Sequence, residues 1–392
     1  MKKLLVIALS FFPFIGLAQW VQQNLGTAVN LNAVFCQNDT VAYVTEDNGY
    51  MLKTIDGGVN WDTIGPQVFS GPLWFTSVDT GYAVGIGGVL KTVDGGLNWV
   101  DNFTESVPVG EGVIHFPTKN IGYAQFENVT YDSILIFRTT DAGLSWNRTC
   151  AFETLGVPGS IFFTNATTGF IVANMDGIYK TTDSGSNWVK KLNSGDLYSV
   201  FFPSDLIGYA VGDSFFKTTD GGNTWNFQNN PNSSLFYSVH FTDNNTGYAV
   251  GGDGFTTGMI VKTTDGGTNW GLSLSGTYTF SSVNFQSAIT GYVCGQGGKI
   301  YKYSLSSGIK NYNEINSLTV YPNPGNGNFN LSIENFNKSA KIFVLDVFGN
   351  VMQQIEINNQ ILNIDIAGQP KGIYFVKVED SQRVRMKKIV YQ

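Results

Sequence analysis

The stretch KTTDGGNTW, Lys217–Trp225, returns almost unchanged as KTTDGGTNW at Lys262–Trp270. The pattern that these copies share, Thr-x-Asp-x-Gly-x-x-Trp, is called the box below. It occurs six times, beginning at Thr54, Thr92, Thr139, Thr181, Thr218 and Thr263. A pattern that recurs at a regular interval predicts a fold built from repeated structural units.

A second repeated element is an apolar segment, a turn, and then Gly-Tyr with another apolar run, as in SVHFTDNNTGYAVG at residues 238–251. Its aromatic or Cys position lies seven residues before the Tyr or Phe in seven copies: Cys36/Tyr43, Phe75/Tyr82, Phe116/Tyr123, Phe163/Phe170, Phe202/Tyr209, Phe241/Tyr248 and Phe285/Tyr292. Units of about 40 residues with four short strands are typical of propeller blades. The sequence therefore predicts an all-β fold, a seven-bladed β-propeller.

The seventh unit is incomplete, because Leu305 stands where the boxes have Asp and no Trp follows it. The missing strand is predicted at the other end of the chain. Trp20 precedes Val34 by fourteen residues, as Trp225 precedes Val239. We therefore expect the N-terminal strand to complete the last blade and close the ring, which removes free sheet edges.

The boxes carry six Asp and six Trp residues, and we interpret them as structural. The residues are Asp56, Trp61, Asp94, Trp99, Asp141, Trp146, Asp183, Trp188, Asp220, Trp225, Asp265 and Trp270. An active site needs its catalytic group once, whereas Gly, Asp and Trp suit a turn, a backbone acceptor and a buried anchor. A Ca²⁺ loop is the alternative, but the alternating oxygen ligands of such a loop are missing. We expect neither a metal nor a cofactor.

The box is similar to the Asp-box, or bacterial neuraminidase repeat (BNR), of sialidases, sortilin-type receptors, xyloglucan-cleaving hydrolases and photosystem II assembly factors. The SVxF and GYAVG phrases most resemble the last group, over about residues 20 to 305. The resemblance implies the propeller fold, which carries unrelated activities. Sialidases grip their substrate with three arginines, and the propeller region here has only Arg138 and Arg148. A sialidase is thereby excluded.

Composition restricts the partners further. The chain has 23 Lys and Arg residues against 30 Asp and Glu residues, which gives a net charge of −7. A basic surface for binding nucleic acid is therefore not expected. Cys36, Cys150 and Cys294 are too far apart for a metal knuckle or a disulfide framework. His115 and His240 share one repeat position and are interpreted as core residues.

Residues 1–18 are predicted to be a signal peptide. Lys2 and Lys3 precede an apolar run that ends at Leu17, and small residues lead to a cut after Ala18. A membrane anchor is the alternative, but the run is shorter than the roughly 20 residues of a spanning helix and Pro13 interrupts it. No membrane span is expected.

Unequal loops are the best indication of a binding surface, because function on such scaffolds is usually carried by loops. Extra residues follow Tyr123 and Tyr248. On the face opposite the boxes we expect an acidic, aromatic surface formed by Glu105, Glu111, Glu127, Tyr131, Asp132, Asp253 and Phe255. Ordinary solvated loops are the alternative interpretation.

The sequence pattern changes after Ser306, because the repeated boxes end before this residue. Residues 307–317 are predicted to be a linker, and residues 318–392 a small β-sandwich with alternating apolar positions. The latter resembles the type A C-terminal sorting domain of the type IX secretion system of Bacteroidetes, in residues 321–324 (YPNP), Gly349, residues 372–374 (GIY) and residues 387–388 (KK). The resemblance implies export by that machinery and release or attachment at the surface. A carbohydrate-binding or adhesive domain is the alternative.

These observations predict a secreted or outer-membrane surface protein whose propeller, residues 19–306, binds a protein or glycan without catalysing a reaction. The alternative is an extracellular glycoside hydrolase that uses loop carboxylates. Glu105, Glu127 and Asp132 are unrepeated, but all three come from one side of the ring. This placement favours binding over hydrolysis, which needs two carboxyl groups across a cleft.

Overall fold

The structure is a computed structural model. It describes residues 18–67, 69–85, 87–103, 109–128, 133–153, 157–230, 234–254, 256–305, 318–333, 341–346, 351–356, 361–379 and 384–392. Two compact units are present, one formed by residues 18–305 and the other by the described residues from 318 onward. Each is treated separately below.

The first unit contains seven four-stranded antiparallel sheets among its described residues. Strand β1 (Ala18–Gln23) precedes sheet 1 and belongs to sheet 7. Sheet 1 consists of β2 (Leu31–Cys36), β3 (Ala42–Glu46), β4 (Met51–Thr54) and β5 (Asp62–Ile64). Sheet 2 consists of β6 (Phe69–Phe75), β7 (Gly81–Gly85), β8 (Gly88–Thr92) and β9 (Val100–Asp101). Sheet 3 consists of β10 (Val109–His115), β11 (Gly122–Asn128), β12 (Ser133–Thr139) and β13 (Asn147–Glu153).

The next four sheets repeat this order. Sheet 4 consists of β14 (Pro158–Phe163), β15 (Gly169–Ala173), β16 (Gly177–Thr181) and β17 (Val189–Leu192). Sheet 5 consists of β18 (Leu197–Phe201), β19 (Gly208–Gly212), β20 (Phe215–Thr218) and β21 (Asn226–Gln228). Sheet 6 consists of β22 (Leu235–Phe241), β23 (Gly247–Gly252), β24 (Gly258–Thr263) and β25 (Gly271–Gly276). Sheet 7 consists of β26 (Phe280–Ser287), β27 (Thr290–Gly295), β28 (Lys299–Leu305) and β1, with a 3-10 turn at Gln296–Gly298.

The first strands of the sheets contact one another in a closed cycle, from β2 through β6, β10, β14, β18 and β22 to β26, and from β26 back to β2. In sheet 7 the N-terminal strand β1 pairs with β28, and Trp20 faces Tyr303 in the register. The first and last strands of this unit therefore lie in the same sheet.

The core lies between neighbouring sheets. In six of the seven sheets, the aromatic ring of the second strand stacks on the Phe of the next sheet's first strand, as in Tyr209 on Phe241 at 3.7 Å between centroids. The same stacking joins Tyr43 to Phe75, Tyr82 to Phe116, Tyr123 to Phe163, Phe170 to Phe202 and Tyr248 to Phe285. Burial of such rings makes a large apolar contribution to the stability of the fold.

Glycine precedes the Tyr of the second strand because the Phe of the same sheet leaves no room for a side chain. A Cβ on Gly208 would lie 2.4 Å from the ring of Phe202. In sheet 1 the Phe position holds the smaller Cys36, and its register partner is Ala42 rather than Gly. The Gly-Tyr phrase is therefore a packing requirement.

The second unit is a pair of β-sheets. The three-stranded sheet contains β29 (Leu318–Tyr321), β30 (Asn328–Ile333) and β33 (Ile361–Asp365). The four-stranded sheet has the order β32 (Val351–Glu356), β31 (Lys341–Leu345), β34 (Gly372–Glu379) and β35 (Val384–Tyr391). Phe329, Leu331, Ile342, Val344 and Ile389 are fully buried in one core cluster.

Candidate ligand-binding site

Each box forms a turn between the third and fourth strands in which the Thr hydroxyl donates a hydrogen bond to the Asp carboxylate. In sheet 5, Thr218 Oγ1 donates to Asp220 Oδ1 at 2.8 Å and accepts from the Gly222 amide at 2.8 Å. The other oxygen of Asp220 accepts from the Thr224 hydroxyl at 2.7 Å. Backbone and side-chain donors of Thr224 hold the pKa of Asp220 well below its usual range. Both carboxylate oxygens of Asp220 are therefore hydrogen-bonded within its own turn.

A central cavity of about 320 Å³ lies among the first strands of all seven sheets. Because each first strand runs toward the box face, its early residues line the mouth of the cavity on the opposite face. Its later residues lie deeper. The described residues that line this cavity include no Asp, Glu, Lys or Arg.

The floor of the cavity is a ring of mainly aromatic side chains, contributed by one repeat position. Trp74 and His115 are in contact at 4.4 Å between centroids, and Phe201 and His240 at 4.5 Å. Phe35 and Phe162 continue the ring on either side. Asn284 occupies the seventh position, where its Oδ1 accepts from the Cys36 amide at 2.9 Å. The ring closes the cavity toward the box face.

At the cavity floor His115 is buried and His240 is half-buried, and burial lowers the pKa of His115 to about 3 and that of His240 to about 4. Both are therefore neutral at pH 7. His115 Nδ1 accepts a hydrogen bond from the Phe163 amide at 3.2 Å. The tautomer protonated at Nε2 follows from this bond.

The wall above the floor carries Ser at one repeat position in sheets 4 to 7. Ser199, Ser238 and Ser282 each accept a backbone amide of the next sheet, from Val239, Val283 and Val34, at 3.2 to 3.3 Å. These bonds tie the first strands together around the cavity. They also fix each hydroxyl at the cavity wall.

The mouth is marked by two half-buried tyrosines, Tyr198 and Tyr237, whose ring centroids are 5.0 Å apart. Asn174 Nδ2 donates to the Tyr198 hydroxyl at 3.3 Å. Burial raises the pKa of both phenols, with Asp196 adding to the effect on Tyr198 and Asp253 on Tyr237. The mouth therefore presents neutral phenol groups beside carboxylates.

The predicted site residues are placed unevenly. Glu105, Tyr131, Asp132 and Phe255 lie outside the described residues, as does the side chain of Glu111, whose backbone belongs to β10. Glu127 lies within strand β11 and is buried, with 7% of its surface exposed. Asp253 is exposed, and its carboxylate accepts from the amides of Thr256 and Thr257 in its own turn. Of the predicted residues that the structure describes, Asp253 lies close enough to Tyr237 to affect its pKa.

Sequence reasoning missed Tyr198 and Tyr237, although a signal existed. The phrase Tyr-Ser-Val occurs in both first strands, at a repeat position that holds Gly159 in sheet 4 and Ser281 in sheet 7. Two bulky aromatic residues at a position where these other sheets have small ones indicate a function specific to sheets 5 and 6.

Other site classes receive no support from the described part of the chain. It contains no cluster of three or more His, Cys, Asp or Glu that could hold a metal ion. Cys36, Cys150 and Cys294 are free thiols, and burial raises the pKa of Cys36 to about 12. None of the described helical segments is long and apolar enough to cross a membrane.

Comparisons with known proteins agree with this architecture. Residues 319–392 match the family described as secretion system C-terminal sorting domain, and residues 71–196 match the family described as photosynthesis system II assembly factor YCF48. The sequence matches no curated protein at a significant level.

Solved structures resemble the chain in fold. YCF48 bound to D1 peptide has a TM-score of 0.59 at 19% identity, covering 73% of this chain and 96% of its own. YCF48 from Cyanidioschyzon merolae has a TM-score of 0.59 at 18% identity, covering 73% and 99%. The GH74 enzyme of Niastella koreensis has a TM-score of 0.59 at 12% identity, covering 95% and 74%. At these identities the likeness extends to the fold alone.

The predicted all-β propeller with BNR repeats and the predicted sorting tail are confirmed. The tail indicates export to the cell surface or the extracellular space. The chain thus joins a BNR-type β-propeller to a C-terminal sorting domain of the type IX secretion system.

Proposed function

We propose that this protein is an exported binding module that holds an extracellular protein or glycan at the mouth of its central cavity, without catalysing a reaction. The observation that carries the proposal is the Tyr198–Tyr237 pair, 5.0 Å apart on the face opposite the boxes. Tyrosines with an apolar ring and a polar tip are favoured in binding surfaces. On the box face, the Thr and Asp side chains of the box are hydrogen-bonded within their own turn, as in sheet 5.

The architecture we propose is a single ring of seven blades, one per sheet, closed by β1. The closed cycle of contacts among first strands supports it, as does the pairing of β1 with β28. We further propose a signal peptide at 1–18, a propeller at 19–306, a linker at 307–317 and a sorting domain at 318–392. The mature protein is then secreted or held at the outer-membrane surface, and the sorting domain engages the secretion machinery.

Binding is favoured over hydrolysis by the groups around the cavity. A glycosidase needs two carboxyl groups that flank the scissile bond. The described lining offers hydroxyl, amide and aromatic groups, which recognise a ligand without activating water. Asp196 and Asp253 lie outside this lining, beside the tyrosines.

The experiment that tests this proposal compares the purified chain with the double variant Tyr198→Ala/Tyr237→Ala on arrays of bacterial and host glycans and extracellular proteins. Phe227→Ala, which removes an exposed ring (60% exposed) from the outer strand β21, is the matched control. We expect the double variant to lose binding by about tenfold or more and the control to retain it.

Product release is measured on the same glycans as new reducing ends. Binding that survives in the double variant contradicts the proposed site. Turnover of a glycan contradicts the non-enzymatic role and points to the hydrolase instead.

A further inference from the structure

The central cavity combines a small volume, an uncharged lining and fixed hydroxyl groups. We propose that it receives the terminal uncharged pyranose of a glycan, inserted through the mouth past Tyr198 and Tyr237. This inference rests on the binding role proposed above and narrows its ligand to one chemical class.

The volume limits what can enter. About 320 Å³ lies at the lower end of the roughly 300–1,000 Å³ that ligand pockets span. The cavity therefore has room for one ring-sized group. The remainder of a glycan would extend across the mouth, where the tyrosine pair lies.

The charge of the lining selects a neutral group. No described lining residue is acidic or basic, and burial keeps His115 and His240 neutral at pH 7 because it lowers the pKa of each. A uronic acid, sialic acid or phosphate would bury its charge without a partner there, at a large cost in free energy. A neutral sugar meets no such cost.

The hydrogen-bonding groups suit a polyol. Ser199, Ser238 and Ser282 accept backbone amides through Oγ, so each retains its own hydroxyl proton for donation. A sugar offers several oxygen acceptors at once, together with hydroxyl donors. Below the serines, Phe35, Trp74 and Phe162 present apolar surface that can pack against the C–H face of a sugar ring.

The strand edges around the cavity disfavour a peptide. Peptides that add to a sheet pair with exposed backbone groups of an edge strand. Here the amides of Val34, Cys36, Phe163, Val239 and Val283 already donate to side chains of the neighbouring sheet. A ligand that relies on its own hydroxyl groups fits this wall better than an extended main chain.

The test uses saturation-transfer NMR on the purified full chain with methyl glucoside, methyl galactoside and methyl mannoside, and with glucuronate and sialic acid as charged counterparts. Ala33→Leu is the main variant. Ala33 lies at the repeat position of Ser199 and Ser238, so the larger side chain fills the cavity without removing a serine bond. Ser281→Leu, at the mouth, replaces it if Ala33→Leu fails to fold, and Phe227→Ala is the control.

We expect at least one neutral methyl glycoside to bind, Ala33→Leu to weaken it by about tenfold or more, and the charged sugars to give no signal. Neutral binding that is unchanged in the filled variants overturns the inference. A ligand that proves to be a peptide or a charged sugar also overturns the inference. If the binding of that ligand depends on Tyr198 and Tyr237, the proposed binding role still holds. Failure of every arrayed protein and glycan to bind overturns both proposals.

Discussion

The ammonium group of Lys217 donates a hydrogen bond to the carbonyl of Gly266, 2.6 Å away in the box of the next sheet. The Tyr209 hydroxyl donates to the same carbonyl at 2.9 Å, and Lys217 also lies over the Tyr209 ring. The same Lys-to-Gly bond joins Lys53 to Gly95, Lys180 to Gly221 and Lys302 to Gly57. A Lys near the end of the third strand therefore couples neighbouring sheets, and in sheets 1, 4 and 5 it is the residue directly before the box.

Lys217→Met is expected to lower the free energy of unfolding by about 1–2 kcal/mol, because a charge-assisted hydrogen bond is lost while most of the side-chain packing is kept. Urea unfolding measures the change. Lys119→Met, at an exposed turn position, is the control and should be nearly neutral. Equal effects of the two substitutions would count against the inter-sheet role of Lys217.

Acid should destabilise the propeller through the boxes. Hydrogen bonds from Asn98 lower the pKa of Asp94 from 3.8 to about 2. The ionised form is thus favoured in the folded state, so this stabilisation is complete above the unfolded value of 3.8 and lost as pH falls through about 2. Thermal melts between pH 7 and pH 2 should show a smaller acid loss in Asp94→Asn. Val93→Ala, at an exposed position of the same box that does not titrate, should retain the wild-type profile.

Trp20→Ala should destabilise the propeller strongly. The Trp20 ring packs against Tyr248, Phe285 and Tyr303, and its Nε1 donates to Ser273 Oγ at 3.2 Å. Loss of such a buried ring costs about 3–5 kcal/mol. Val21→Ala, on the exposed side of the same strand, is the control (46% exposed). Comparable stabilities of the two variants in denaturant would show that β1 contributes little to closure.

The two adjacent glycines of a box should differ sharply in their tolerance of Ala. A Cβ on Gly222 would lie 2.2 Å from the ring of Phe170, whereas one on Gly221 meets nothing closer than 3.2 Å. Both have positive φ, but Ala142 occupies the Gly221 position in sheet 3. We expect a loss of about 1 kcal/mol for Gly221→Ala and about 3 kcal/mol or more for Gly222→Ala. A melting series that ranks them in the reverse order would refute the packing argument.

In the tail, Asn323 of the YPNP phrase ties down the last strand. Its Oδ1 accepts from the Val390 amide at 2.9 Å and its Nδ2 donates to the Lys388 carbonyl at 2.7 Å. Asn323→Ala in the full chain should speed hydrogen exchange in β35, because both backbone partners lose their bond. Asn326→Ala, at an exposed position, serves as the control and should leave β35 protected.

The repeat could be predicted from the sequence because the spacing of its residues reflects side chains that pack in pairs between neighbouring sheets. The seven-residue interval from Phe202 to Tyr209 places each residue in stacking reach of a different neighbour, Phe170 on one side and Phe241 on the other. Packing that repeats leaves a periodic trace in the sequence.

The candidate site leaves a weaker trace, the repeated phrase Tyr-Ser-Val, because the site depends on how seven first strands converge. Tyr198 and Tyr237 are 39 residues apart in sequence and meet only through the arrangement of sheets 5 and 6. The prediction from loop length and from acidic and aromatic residues carries no information on which side chains face the cavity. Glu127, chosen in this way, is buried in β11.

The pairing of β1 with β28 imposes an order of events on a chain that is made from its N-terminus. Residues 18–23 are synthesised first, but their partner strand ends at Leu305. Until that strand emerges, Trp20 has no Tyr303 to pack against and the sheet edge of β28 does not yet exist. Contacts of such long sequence separation form late in folding. In the seven-bladed ring proposed above, a nearly complete chain would therefore still lack this pairing, and the residues up to Leu305 would have to be made before β1 could complete its sheet.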